Sequence, residues 1–147
     1  MHGIRGHVRM RYGPGELRDA DGDGSGRFTL RNFPAAPGLN YLDEVSGVPE
    51  GRGGVAAGAV LASRTRKYVV LYPHGTPYGA FKKAFRGRPD LPGVPRPLLA
   101  WVCGVTPGGV FRNGVSFLAA HPAWEADLAR DAADCGVHLY ALTPVPA

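Results

Sequence analysis

Long apolar runs are missing from this sequence. No stretch approaches the roughly 20 apolar residues that a membrane-spanning helix needs, so no span is expected. The first residues, MHGIRGHVRMRY, are charged and lack an apolar core of signal-peptide length. Cysteine is nearly absent, with only Cys103 and Cys135. With no signal peptide expected, free thiols in a cytoplasmic protein are the default. Neither C-x-x-C nor H-x-x-x-H occurs, so no metal and no cofactor are expected. Internal repeats and low-complexity segments are absent as well, which sets aside solenoids and disordered tails.

Turn formers are abundant instead. Twenty-two Gly and 14 Pro among 147 residues, scattered without a period, imply many tight turns and exclude a collagen-like chain. The length suits a single domain, with a loop-rich part over 1–53 and an α/β core over 54–147. The Gly- and Arg-rich composition fits a high-GC bacterial origin.

The formal charge is +5. Much of the excess falls in one window. Arg64, Arg66, Lys67, Lys82, Lys83, Arg86, Arg88 and Arg96 stand there against a single acid, Asp90. A face of that kind favours an anionic partner: a nucleic acid, a phosphorylated ligand or an acidic protein. No nucleic-acid motif accompanies it, and a solvated basic surface is the plainer account.

Near the N-terminus, His7–Tyr12 and Arg27–Phe33 alternate as half-buried strands do and predict an antiparallel pair. The connection between them, GPGELRDADGDGSG, reads as a long turn-rich loop. Asp19, Asp21, Asp23 and Gly24 match the first half of an EF-hand calcium loop. The twelfth position holds Leu30 where a bidentate carboxylate is needed, so a solvated acidic turn is expected. The Ala-rich segment Val55–Arg64 predicts a helix. Gly53-Gly54 ahead of it lacks the residues of a phosphate-binding loop.

The second half reads as alternating elements. Lys67–Tyr72 and Leu98–Val102 are short, continuous apolar runs of the kind found in covered central strands. Between them, Thr76 as cap and Pro77 at the first turn predict a helix over Tyr78–Phe85. A further helix is expected over Pro122–Cys135, stopped by Gly136, and a last strand over Val137–Leu142. Val115–Ala120 is ambiguous between strand and helix. This alternation predicts an α/β fold: a mostly parallel central sheet with flanking helices, preceded by an N-terminal antiparallel hairpin.

In such a sheet the two apolar strands end at one edge, each on a reactive residue followed by glycine: His74-Gly75 and Cys103-Gly104. A thiolate at Cys103 would attack a carbonyl carbon, with His74 as acid and base. Backbone N–H groups near Gly75 and Gly104 would stabilise the oxyanion. The structural alternative makes Cys103 a small core residue and His74 a turn residue.

The pairing of a strand ending in His-Gly with one ending in Cys-Gly resembles the caspase-like peptidases, a group that includes caspases, gingipains and related bacterial enzymes. The resemblance covers about residues 68–104. It implies an α/β/α sandwich, Cys103 as nucleophile, His74 as acid/base and the Gly75 N–H as oxyanion donor. Two functions are therefore expected from different classes. One is a cysteine-dependent hydrolase or transferase acting on a peptide or amide carbonyl. The other is a noncatalytic binding or accessory domain that uses the 64–96 basic face.

Overall fold

The computed structural model describes residues 3–73, 78–103 and 113–143. The chain divides into two compact units, Met1–Thr65 and Arg66–Pro144.

The first unit is a closed barrel of five strands: β1 (Arg5–Gly13), β2 (Glu16–Asp23), β3 (Arg27–Leu30), β4 (Glu44–Pro49) and β5 (Val55–Ala62). Consecutive strands pair antiparallel, and a single parallel bridge, Arg11 with Ala56, closes β1 onto β5. Period-two alternation builds its core. Met10, Tyr12, Ala20, Phe28, Leu30, Val45 and Val55 point inward and are buried. Glycine lets the strands come close where the interior is crowded. A Cβ on Gly47 would lie 2.5 Å from Cε2 of Phe28, and one on Gly22 would lie 2.5 Å from the carbonyl oxygen of Ile4.

Two expectations for this unit are corrected. The supposed loop between the first strands contains β2, which pairs with β1 in place of β3. Its aspartates are the alternating outer residues of a strand, and each is engaged. Asp19 meets His7 at 2.7 Å and Arg9 at 3.3 Å, Asp21 meets Arg31 at 2.6 Å, and Asp23 accepts from the Ser25 hydroxyl and N–H. Flanking arginines make aspartate tolerable on this strand despite its poor β propensity. The Ala-rich segment expected as a helix is strand β5. Gly58 shows why: a Cβ there would lie 2.5 Å from the Ser46 hydroxyl oxygen on β4, a close approach that strand pairing imposes.

The second unit runs β6 (Arg66–Pro73), α1 (Tyr78–Arg86), β7 (Leu98–Cys103), β8 (Asn113–Ala120), α2 (Glu125–Asp134) and β9 (His138–Thr143). The sheet order is β7-β8-β6-β9, and every ladder is antiparallel. This is the split β-α-β order of ferredoxin-like sheets. Tyr68, Val70 and Leu118 from the sheet share one core with Phe81 and Phe85 of α1 and with Trp124, Leu128 and Ala132 of α2. Both helices therefore lie on one face.

The expected mostly parallel α/β sheet is thus overturned: the protein is mostly β, with a mixed closed barrel and an antiparallel sheet. The physical reason lies in one connection. Only nine residues separate Cys103 from Asn113, whereas a parallel crossover takes a dozen or more. β8 therefore returns antiparallel and fills the gap between β6 and β7.

Candidate functional site

Helix α1 is built around two phenylalanines. Phe81 and Phe85, one turn apart, enter the core with ring centroids 5.5 Å apart. The opposite stripe follows from helical spacing. Gly79, Lys82, Lys83, Arg86 and Gly87 lie at intervals of three and four, and together they line a shallow, open depression of about 440 Å³. The glycines contribute no side chain, so among the described residues its side-chain lining is the three cations. Lys83 and Arg86 are exposed, and Lys82 is half-buried. The helix contains no acidic residue, and its cations sit toward the C-terminal end, where the helix dipole favours positive charge.

The other basic residues of the 64–96 window are used differently. Arg66 donates through Nη1 to both carboxylate oxygens of Glu125, at 2.9 and 3.2 Å. Lys67 is buried. Arg88 grips Asp131 through Nε, at 3.1 Å, and through Nη2, which raises the Arg88 pKa. Arg96 pairs with Asp90 and also donates to the carbonyls of Arg86 and Arg88. Arg64 is exposed and belongs to the first unit. Of the eight basic residues, Arg66, Arg88 and Arg96 are held in ion pairs, and Lys82, Lys83 and Arg86 line one depression on α1.

The units also differ in balance. The first carries eight Lys and Arg against seven Asp and Glu; the second carries nine against five.

Cys103 is the last residue of β7, and its Cα is paired with that of Val115 on β8. His74, Gly75 and Gly104 lie outside the described residues. β6 and β7 are both antiparallel to β8, so they run in the same direction and end on the same side of the sheet. They are not neighbours. With β8 between them, the strand ends stand about 10 Å apart, two strand spacings. Among the described residues no three His, Cys, Asp or Glu side chains gather as a metal-ligand set.

A buried polar group that sequence reasoning missed lies on the helix-covered face. Among the described residues, the Tyr68 hydroxyl, the Ser116 hydroxyl and Nε of Arg66 are buried without hydrogen-bond partners. Burial pushes the Tyr68 phenol up to about 12, and the nearby Glu125 carboxylate adds to the shift. The available signal was a polar residue at a core position of each strand, Tyr68 in KYVVLY and Ser116 in VSFLAA.

No protein-family model matches the chain, and no curated protein matches it. Among solved structures it is similar to one described as a novel crystal structure of a hypothetical protein from Neisseria gonorrhoeae, at 13% identity over 100% of both chains with a TM-score of 0.49. A likeness at that level carries no argument.

Proposed function

We propose that the protein is a noncatalytic binding module that takes an anionic partner on the outward face of α1. The observation that carries this reading is that Lys82, Lys83 and Arg86 line one open depression on α1. The core beneath the stripe is built by Phe81 and Phe85.

The hydrolase reading, with its caspase-like resemblance, asks His74 to reach Cys103 for proton transfer. His74 lies outside the described residues, and the binding reading is preferred because its three cations line one depression on α1. The test is retention on immobilised heparin at low salt. The triple variant Lys82→Gln, Lys83→Gln, Arg86→Gln should elute at clearly lower salt than the parent. Equal elution of the two proteins overturns the reading.

A further inference from the structure

We infer that β9 pairs with the β9 of a second copy of this chain. The two copies are related by a two-fold axis perpendicular to the sheet, and their antiparallel sheets become one. None of the α1 cations takes part.

β9 (His138–Thr143) is an outer strand, hydrogen-bonded to β6 on one side and to no strand among the described residues on the other. The free N–H and C=O groups of a sheet edge invite another strand, and edges are ordinarily protected by charged side chains, by proline or by a bulge. The sequence HLYALT contains no proline, Lys, Arg, Asp or Glu. Its one register shift falls near the C-terminal end, so His138–Ala141 lie opposite Tyr68–Leu71 in regular register. β7, the other outer strand, is interrupted in its middle, between Leu99 and Val102, and such an irregularity turns an edge away from new partners.

The strand is also apolar where it meets water. Tyr140 is 51% exposed and Leu142 49%, and His138 and Ala141 are exposed as well. Beside the strand, the flank of α2 is built from small residues. Ala129 and Ala133, with Gly136 just past the helix, are exposed and share a hollow of about 330 Å³ with His138, Leu139 and Tyr140.

Edge and flank together select the occupant. A foreign peptide strand would pair with β9 and leave the alanine flank in water. A second copy covers both. Antiparallel pairing about a perpendicular two-fold axis sets β9 against itself and keeps the helices of both copies on one face, with the two α2 helices side by side. Alanine at the facing positions lets helix axes approach to roughly 8 Å. The strands themselves carry no fixed charge, so two chains of formal charge +5 meet there without like charges opposed.

Size sets the strength. Six strand residues beneath one helix present a contact of about 300–400 Å² per copy, against the roughly 800 Å² per partner of a standard stable interface. The dimer is therefore weak and concentration-dependent.

The experiment is sedimentation velocity of the full chain over a concentration series, joined to hydrogen exchange at low and high concentration. The expected result is a monomer when dilute and a growing dimer fraction on concentration. Amides of β9 should exchange more slowly in the concentrated sample, and those of β7 should not change. Added salt should leave the dimer intact, because the contact is uncharged. Tyr140→Lys gives the edge the charge it lacks, and Ala133→Arg holds the helices apart. Each should weaken association roughly tenfold or more, since each brings an unpaired charge into the contact. Both positions are exposed, and thermal unfolding checks that each variant keeps its fold. A monomer at every concentration overturns the inference and leaves a foreign strand as the occupant to seek. A dimer that both substitutions leave unchanged, or whose slowed amides lie outside β9 and α2, overturns it too. Weakening by Tyr140→Lys with no effect of Ala133→Arg overturns the two-fold contact between helices.

Discussion

Three buried polar residues show how differently a hydroxyl or carboxylate contributes according to its partners. Asp43 is wholly buried. Its carboxylate accepts from the Asn40 N–H at 2.7 Å and from the Ser63 hydroxyl, while its carbonyl accepts from the Leu30 N–H at 2.9 Å. These bonds hold a turn in which Leu42 adopts φ 67°, a left-handed conformation that a leucine avoids unless its surroundings impose it. Asp43→Ala should lower the unfolding free energy by roughly 2–3 kcal/mol, read as a shift of the urea midpoint, because donors left unpaired inside the protein bear their full desolvation cost. Tyr12 and Tyr68 both have phenols pushed up to about 12, chiefly by burial. The raised value means the folded state favours the neutral phenol. The stability this confers is fully present below about pH 10, where an unfolded tyrosine ionises, and is lost as pH rises toward 12. A fall in thermal midpoint across that window, with phenolate absorbance lagging behind that of free tyrosine, is the expected outcome. The two residues part company at neutral pH. The Tyr12 hydroxyl donates to the Asp19 carbonyl and accepts from the Arg31 and Asn32 N–H groups at 3.2 and 3.3 Å. Tyr12→Phe should therefore destabilise the protein by about 1 kcal/mol or more, whereas Tyr68→Phe, whose hydroxyl has no hydrogen bond of normal geometry among the described residues, should cost less.

At the scale of elements, what was legible depended on whether a pattern had one physical explanation or two. The apolar runs that became β6, β7 and β9 and the stripes of α1 and α2 were readable from their spacing, while the expected cap of α1, Thr76 with Pro77, lies outside the described residues. His121 illustrates a cap that was not singled out: its Nδ1 accepts from the Ala123 N–H at 3.0 Å, just before α2. Val55–Ala62 misled because alanine suits a helix by propensity, while its strand state is set by the pairing partner β4, far along the chain. β2 was hidden for a related reason: Glu16–Asp23 looks like a turn until β1 supplies the facing arginines and histidine. The cationic stripe was visible only as a charge window, since nothing local says which arginines find carboxylates such as Glu125 and Asp131, dozens of residues away. Crowding inside the barrel yields a direct test. Gly47→Ala would place a methyl 2.5 Å from Phe28 and 3.0 Å from Val55, so β4 must shift. A loss of about 1–3 kcal/mol is expected, measured by chemical unfolding against Gly51→Ala, whose added Cβ meets open space.

The molecule as a whole has two cores, one inside the barrel and one between the antiparallel sheet and its helices. Separate cores permit separate melting, and a single unfolding free energy is then not well defined. Gly47→Ala should displace the transition reported by barrel amides and leave that of the Trp124 core in place, as followed by residue-resolved hydrogen exchange and tryptophan fluorescence. A single transition moved as one by the substitution would show that the units unfold together. Within the barrel, strands joined by neighbouring turns pair through ladders of several residues, while β1 and β5, though packed side by side, share a single ladder bridge, Arg11 with Ala56. That join links positions 45 residues apart in the chain, so it demands the largest loop-closure entropy for the least hydrogen bonding. Its consequence belongs to time more than to shape. The expected order of assembly is meander first and seam last, and the seam is where amide exchange is expected to be fastest within the barrel.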